Sequence, residues 1–255
     1  MDVETLRSLK GARKVTMLTA YDYQMARILD EAGIDLILVG DSLGMVVLGY
    51  ENTKQVTMED MIRHTQAVAR GASSALIVGD MPIGTYDDVE EALRNAERLV
   101  EAGAHAVKLE GNHPEVIEAL ISSGIPVMGH LGLLPQTAKV MKVRGKKRNE
   151  AEKILADAVQ LDGKGVFSIV LECVPLGLAK AVTGSVGALT IGIGAGIHCD
   201  GQVLVVNDML GMLKDYSLKH SKIYADLYTV ITGAVLRYIE EVKAGKFPTD
   251  RQSFH

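Results

Sequence analysis

Four apolar runs in this 255-residue sequence stop abruptly on a carboxylate. Leu36-Ile-Leu-Val-Gly leads to Asp41, Ala75-Leu-Ile-Val-Gly to Asp80, Ala106-Val-Lys-Leu to Glu110 and Ser168-Ile-Val-Leu to Glu172. Runs of this length read as strands buried on both faces. If such strands are parallel and close into a barrel, their C-terminal ends share one rim, and the four acids meet at one mouth. Asp41, Asp80 and Glu110 are hard oxygen donors of the kind that hold Mg²⁺ or Mn²⁺. Taken singly each is better read as a loop cap or a partner for Lys or Arg; three at one mouth favour the metal. The apolar flanks of Glu172 disfavour its charged form and make it a better proton acceptor. A fourth metal ligand and a buried structural acid are the other readings of that residue.

Around these acids lie residues of less specific chemistry. Lys108 stands two before Glu110, so in a strand both project to the same face. There it can neutralise a substrate carboxylate or a developing enolate oxygen, form a Schiff base, or pair with a neighbouring acid. His130, inside Gly129-His-Leu-Gly132, is either a site residue or a satisfied polar group. Ser42 and the amides of the Asp41–Gly44 turn can hydrogen-bond an anion, or serve the turn alone. Ile191-Gly-Ile-Gly-Ala-Gly196 lacks the spacing of a nucleotide loop and no helix is expected after it, so close packing at a barrel rim explains it better. The basic run Lys142–Arg148 reads as a solvated loop, with contact to an anionic substrate tail as the alternative.

The elements that must position these residues alternate. Strands are expected at 14–20, 36–40, 75–79, 106–110, within 124–132, and at 168–173, 189–194 and 203–206. Helices are expected between them. One has Met25, Ile28, Leu29 and Ala32 on a face and ends at Gly33. Another covers 58–70, with Thr57 and Asp60 near a capping box. Residues 87–102 form the clearest helix, with Val89, Leu93, Ala96, Leu99 and Val100 on one side. Further helices start at Pro114 and cover 149–161 and 176–183, the stretch between the last two strands is too short for one, and a long pattern at 221–244 would close the ring. Alternation of this kind calls for parallel strands with right-handed crossovers. An open doubly wound sheet has the same local signature; eight evenly spaced strands favour the barrel.

Composition agrees. A single domain over 1–255 is close to the ~250 residues of a TIM barrel, and 47% hydrophobic residues suffice for its core. A net charge of −5 gives no general attraction to nucleic acid or an anionic membrane, so small-molecule partners are expected. The two cysteines, Cys173 and Cys199, make no disulfide framework and have no metal-ligand spacing. No apolar stretch is long enough to span a bilayer and no secretory start is evident, so the cytoplasm is the expected location.

Six motifs, Leu18-Thr-Ala-Tyr-Asp22, Val39-Gly-Asp-Ser-Leu-Gly-Met45, Asp80-Met-Pro82, Val107-Lys-Leu-Glu-Gly111, Val127-Met-Gly-His-Leu-Gly132 and Leu171-Glu-Cys-Val-Pro175, occur in this order. With Ile191–Gly196 and Cys199–Gln202 they resemble the ketopantoate hydroxymethyltransferase (3-methyl-2-oxobutanoate hydroxymethyltransferase) family over about residues 14–213. The resemblance implies a (β/α)8 TIM barrel of the phosphoenolpyruvate/pyruvate type. It also implies one Mg²⁺ per subunit and transfer of a hydroxymethyl group from 5,10-methylenetetrahydrofolate, or a related pterin, to 3-methyl-2-oxobutanoate through a metal-stabilised enolate. The product, ketopantoate, leads to pantothenate and coenzyme A. By matching motifs Asp41, Asp80 and Glu110 take the metal, some through water; Ser42 and Lys108, with Asp41 and Asp80, hold the oxo acid; Glu172 is the proton acceptor; His130 lies in the pocket. A homo-oligomer, typically a decamer, is also implied. Two stretches depart from the family: Ala138–Arg148 replaces its usual Gly-Gly-Tyr-Lys-Val-Gln-Gly-Arg, and Leu161–Gly165 replaces an acidic-Gly-Ala turn. The rival readings are a metal-dependent C–C or P–C lyase or mutase in the same barrel class, and a non-catalytic metabolite-binding barrel.

Overall fold

The apolar runs become parallel strands because each is flanked by helices that cover its outer face while its inner face fills a barrel. In the computed structural model, which describes residues 1–214 and 218–255, the chain divides into two compact units, Met1–Val205 and Val206–His255. The first contains eight strands: β1 (Val15–Thr19), β2 (Leu36–Val39), β3 (Leu76–Asp80), β4 (Ala106–Glu110), β5 (Val127–Gly132), β6 (Ser168–Glu172), β7 (Leu189–Ile193) and β8 (Gly201–Leu204). They form a closed barrel in sequence order, every pairing parallel, with β8 returning to β1 through the register Val15↔Gly201. Closure decides between the barrel and the open sheet in favour of the barrel.

The helices of this unit are α1 (Val3–Arg7), α2 (Tyr23–Glu31), α3 (Leu43–Val46), α4 (Met58–Gly71), α5 (Val89–Glu101), α6 (Pro114–Ser122), α7 (Arg148–Gly163) and α8 (Leu176–Ser185). Local chemistry fixes their starts. Asp22 accepts from Met25 N, Asp88 accepts from Glu91 N, and Thr57 with Asp60 completes a reciprocal capping box.

Within this unit the structure corrects the sequence reading at α2, α5 and β8, and adds α1. On α2 the buried residues are Ala26 and Leu29, while Ile28 is 59% exposed. The reason is close packing: at Gly71 of α4 a Cβ would run into Tyr23 O and approach Ala26 Cβ at 3.0 Å, so small residues form the seam. On α5 the buried stripe is Ala92, Ala96 and Leu99, and Val100 faces outward. The last strand begins at Gly201, two residues before the expected 203, since an apolar pattern cannot register a glycine placed against Val15 of β1. Finally, the short helix α1 was not expected at all; its fully buried Leu6 joins the core made by Val15, Leu36, Leu76 and Leu189 from the starts of four strands.

In the second unit α9 (Val206–Met209) is followed by α10 (Leu227–Lys243), whose first turn is capped by Asp226 accepting from Thr229 N. Its start is therefore six residues beyond the expected 221. Among the described residues no helix is long and apolar enough to cross a membrane.

Candidate active site

Strand parity builds the site. Alternate residues of a strand share a face, and the interior of the barrel contains Leu76 and Val78 of β3, Ala106 of β4, Met128 of β5 and Val170 of β6. Continuing each series by two residues reaches Asp80, Lys108 then Glu110, His130, and Glu172. The register sets Asp80 beside Lys108, Glu110 beside His130, and Gly132 beside Glu172. Asp41 enters from the turn after β2, where its own amide donates to Asp80 Oδ2 at 3.3 Å. Thus the structure brings Asp41, Asp80, Lys108, Glu110, His130 and Glu172 to one end of the barrel. Ser42 stands at their edge, its hydroxyl 2.9 Å from the Tyr21 hydroxyl, and starts α3 without a side-chain cap bond.

All but Ser42 and Glu172 are buried. Lys108 Nζ donates to Asp80 Oδ1 at 2.6 Å, which is the ion-pair reading of that lysine. Burial opposes its charge, but Asp80, Glu110 and Asp41 outweigh burial and push it above the ordinary lysine value. Held in this ion pair, the amine is a charge partner rather than a free nucleophile, which favours the ion-pair reading over the Schiff-base one. For Asp41, burial first and the neighbouring Asp80 second raise the carboxyl to about 8. Burial raises Asp80 as well, with Lys108 opposing.

His130 lies between two carboxylates, Nδ1 at 3.4 Å from Glu110 Oε1 and Nε2 at 3.2 Å from Glu172 Oε2. These are ion-pair contacts, off the alignment of good hydrogen bonds. Burial lowers the ring's affinity for a proton, but Glu110 and Glu172 outweigh it and push it up to about 9. Glu110 moves the other way: burial raises it, and His130, Lys108 and the amide of Gln136 together bring it below the ordinary value. Glu172 has 17% of its side chain exposed, against 2% for Asp80 and Glu110, so it is the acid that faces incoming molecules.

Two residues the sequence reading missed hold the cluster together. Gln136, fully buried, donates from Nε2 to Asp41 Oδ2 and to Met81 O, each at 2.9 Å, and from its backbone to Glu110 Oε2 at 3.0 Å. Its Oε1 accepts from the Tyr86 hydroxyl, itself buried. Gln136 is the last residue of the Gly-His-Leu-Gly-Leu-Leu-Pro-Gln stretch, which offered a signal; Tyr86 lies in a loop with none.

The residues suit a divalent cation. Three buried acids face two buried cations, Lys108 and His130, so the pocket carries an excess of negative charge once Asp41 gives up its proton. Its donors are all oxygen, as Mg²⁺ prefers. Among the described residues no three His, Cys, Asp or Glu side chains surround one point closely enough to enclose an ion. That fits Mg²⁺ too, which is usually held by one or two carboxylates and completes its shell with water or substrate oxygens. The two cysteines are free thiols, Cys199 buried and Cys173 next to Glu172.

Solved structures share this architecture. Phosphonopyruvate hydrolase, in a complex with oxalate and Mg²⁺, superposes with a TM-score of 0.66 at 14% identity, covering all of this chain and 92% of its own. The 2,3-dimethylmalate lyase structure, from the PEP mutase/isocitrate lyase superfamily, has a TM-score of 0.62 at 15% identity over 99% of this chain and 91% of its own. At such identities the likeness is one of fold, that of a closed eight-stranded α/β barrel. Closer relationship comes from sequence: the family model described as ketopantoate hydroxymethyltransferase matches residues 1–250. The 3-methyl-2-oxobutanoate hydroxymethyltransferase of Syntrophus aciditrophicus (strain SB) is 56% identical over 252 residues, 96% of this chain and 93% of that protein. The chain belongs to the ketopantoate hydroxymethyltransferase family of enzymes.

Proposed function

We propose that this protein transfers a hydroxymethyl group from 5,10-methylenetetrahydrofolate, or a related pterin, to 3-methyl-2-oxobutanoate, giving ketopantoate on the way to pantothenate and coenzyme A. Membership of the family supports the reaction. The observation that carries the mechanism is the placement of Glu172: a partly exposed carboxylate joined through His130 to a buried pocket lined by acids. Asp41 and Asp80 would hold Mg²⁺, with Glu110, whose Oε2 already accepts from Gln136, suited to act through water. When bound, the ion supplies positive charge opposite the oxygens of the oxo acid, which lowers the cost of forming an anion next to the keto group.

The protein's own residues do the rest. Glu172 takes the proton from C3 of the oxo acid, and His130, charged at neutral pH, fixes where that carboxylate points. Lys108 offsets negative charge at the pocket floor through Asp80. Ser42 and the amides that follow it offer hydrogen bonds to the acid's carboxylate. Water cleaves the two bonds between the donor's methylene carbon and nitrogen, releasing tetrahydrofolate and formaldehyde; C3 then bonds to the formaldehyde carbon, and the proton held by Glu172 passes to its oxygen, which becomes the hydroxyl. A homo-oligomer, supported by the family resemblance alone, and a cytoplasmic location complete the proposal.

Glu172→Gln tests the assignment. The variant is expected to bind Mg²⁺ and the oxo acid while losing exchange of the C3 proton with deuterated solvent, followed by NMR. Undiminished exchange would remove Glu172 from the reaction. A lyase or mutase would instead turn over an oxo acid regardless of whether a methylene-pterin is added.

A further inference from the structure

The first strand sends a phenol, not an acid, to the mouth. Val15 and Met17 of β1 face the barrel interior, and the same parity continues through the buried Thr19 to Tyr21. Tyr21 is 3% exposed, and its backbone is held from two sides. Ala20 N donates to Leu38 O of β2 at 3.0 Å, and Nδ1 of His64 on α4 donates to Tyr21 O. Asp22, the next residue, caps α2, so the ring springs from a fixed origin.

On β2 the interior series Leu36 and Leu38 leads by the same step to Gly40 and Ser42. A Cβ at Gly40 would lie 2.9 Å from Ser42 Oγ, so the glycine leaves the hydroxyl its place. Ser42 starts α3, where a serine hydroxyl ordinarily accepts from an amide of the first turn. Here it makes no such bond and stands 2.9 Å from the Tyr21 hydroxyl instead. Each hydroxyl has one proton to give. Tyr21 is buried and Ser42 is half-buried beside Asp41, so the arrangement that serves both has Tyr21 donating and Ser42 accepting. The Ser42 proton then points away from the phenol, and the bond it receives makes it a stronger donor.

We propose that Tyr21 is a positioning residue for the oxo acid: it donates to Ser42 Oγ and thereby aims the Ser42 O–H at the substrate's carboxylate. The assignment rests on the hydroxymethyltransferase reading and adds to it a buried side chain that sets oxo-acid affinity through its neighbour.

Calorimetric titration of 3-methyl-2-oxobutanoate into the Mg²⁺-loaded protein tests this on the unaltered chain, Tyr21→Phe, Ser42→Ala and the double variant. Tyr21→Phe deletes one hydroxyl and keeps the packed ring. It should weaken binding about three- to tenfold and Ser42→Ala about tenfold, with the double variant no weaker than Ser42→Ala, because Tyr21 acts only through that hydroxyl. Saturating oxo acid should return C3 exchange in Tyr21→Phe to near the unaltered rate, a change in KM without one in kcat that a general loosening of the fold would not give. Gly40→Ala, which pushes the Ser42 hydroxyl off its place, should match Ser42→Ala. Unchanged affinity in Tyr21→Phe, or losses that multiply in the double variant, overturns the proposal. An unaltered protein that neither binds the oxo acid nor exchanges its C3 proton sinks the hydroxymethyltransferase reading and this assignment with it; binding and exchange that Tyr21→Phe leaves intact sink the assignment alone.

Discussion

The buried carboxyl of Asp41, raised to about 8 by burial and by Asp80, would set the pH dependence of the proposed Mg²⁺ binding. A raised carboxyl keeps a proton at neutral pH, and a cation must displace that proton before it can bind. Mg²⁺ affinity should therefore climb with pH and level off above about pH 8, by up to about tenfold per unit below it. Calorimetric titration with Mg²⁺ in buffers of different ionisation enthalpy reads this directly, as a proton released per ion bound; affinity independent of pH would contradict it. Gln136 governs the same carboxylate by hydrogen bonding. Gln136→Leu keeps roughly the volume but strands Asp41 Oδ2, Met81 O and the Tyr86 hydroxyl in a buried place. Leaving such groups unpaired costs about 1–3 kcal/mol each at most, so a fall in stability of that order is expected from urea unfolding, together with weaker Mg²⁺ binding. Tyr86→Phe, which deletes one hydroxyl, should lose less of both.

Between elements, the end of β5 and the end of β6 meet at Glu172, and the backbone there is unusual. Gly132 has φ +99°, and a Cβ on it would collide with Glu172 O and with Val174 Cγ1. Next to Glu172, Cys173 holds φ +49°, a left-handed conformation that a cysteine seldom adopts and that turns the chain sharply off β6. Gly132→Ala is accordingly expected to push β6 outward, lowering stability by about 1–3 kcal/mol and kcat by much more than it changes the oxo-acid KM. Steady-state kinetics with thermal unfolding would show whether both move; normal turnover would mean that Glu172 is not positioned by this contact. Much of this architecture is legible in sequence, and the reason is specific. A strand buried on both faces is written as a continuous apolar run, so the acid that ends it stands out, as at Asp41, Asp80, Glu110 and Glu172. Gln136 is not legible by period, because it sits in irregular chain and its key partner Asp41 is 95 residues away. Gly201 is missed for a different reason: its value to β8 is the side chain it lacks. Left-handed Cys173 has no pattern at all, since neighbours in space impose its conformation.

Across the barrel unit as a whole, Asp41 and Asp80 at the mouth behave oppositely to the aspartates where the strands begin. At the mouth, burial raises Asp41 and Asp80. Where the strands begin, aspartates stitch one element to the next. Asp35, just before β2, accepts from Arg13 with both oxygens, at 2.8 and 2.5 Å, and from the amide and hydroxyl of Thr16 in β1, each at 2.9 Å. Asp30 accepts from the amides of Ser73, Ser74 and Ala75 as the chain approaches β3. The Arg13 guanidinium, outweighing burial, holds Asp35 below the ordinary aspartate value; at Asp30 burial acts to raise the carboxyl, and the three amides overcome it.

A carboxylate whose folded value is depressed stabilises the fold above its unfolded value of about 3.9, and this contribution disappears as pH falls through the folded value. Asp41 and Asp80 work the other way: raised in the fold, they add stability as pH falls toward their unfolded value, whereas Glu110, depressed at the same mouth, follows the strand-entry aspartates. Acid unfolding should therefore start from the strand-entry end, at pH below about 4. Asp35→Asn removes one such depressed group, so the variant should be less stable at neutral pH and lose less stability than the unaltered protein on going below about pH 4. Urea midpoints measured across that range, in the absence of Mg²⁺, give the two slopes. Parallel slopes would show that Asp35 keeps the same proton affinity folded and unfolded, and that the Arg13 contact does not secure β1 to β2.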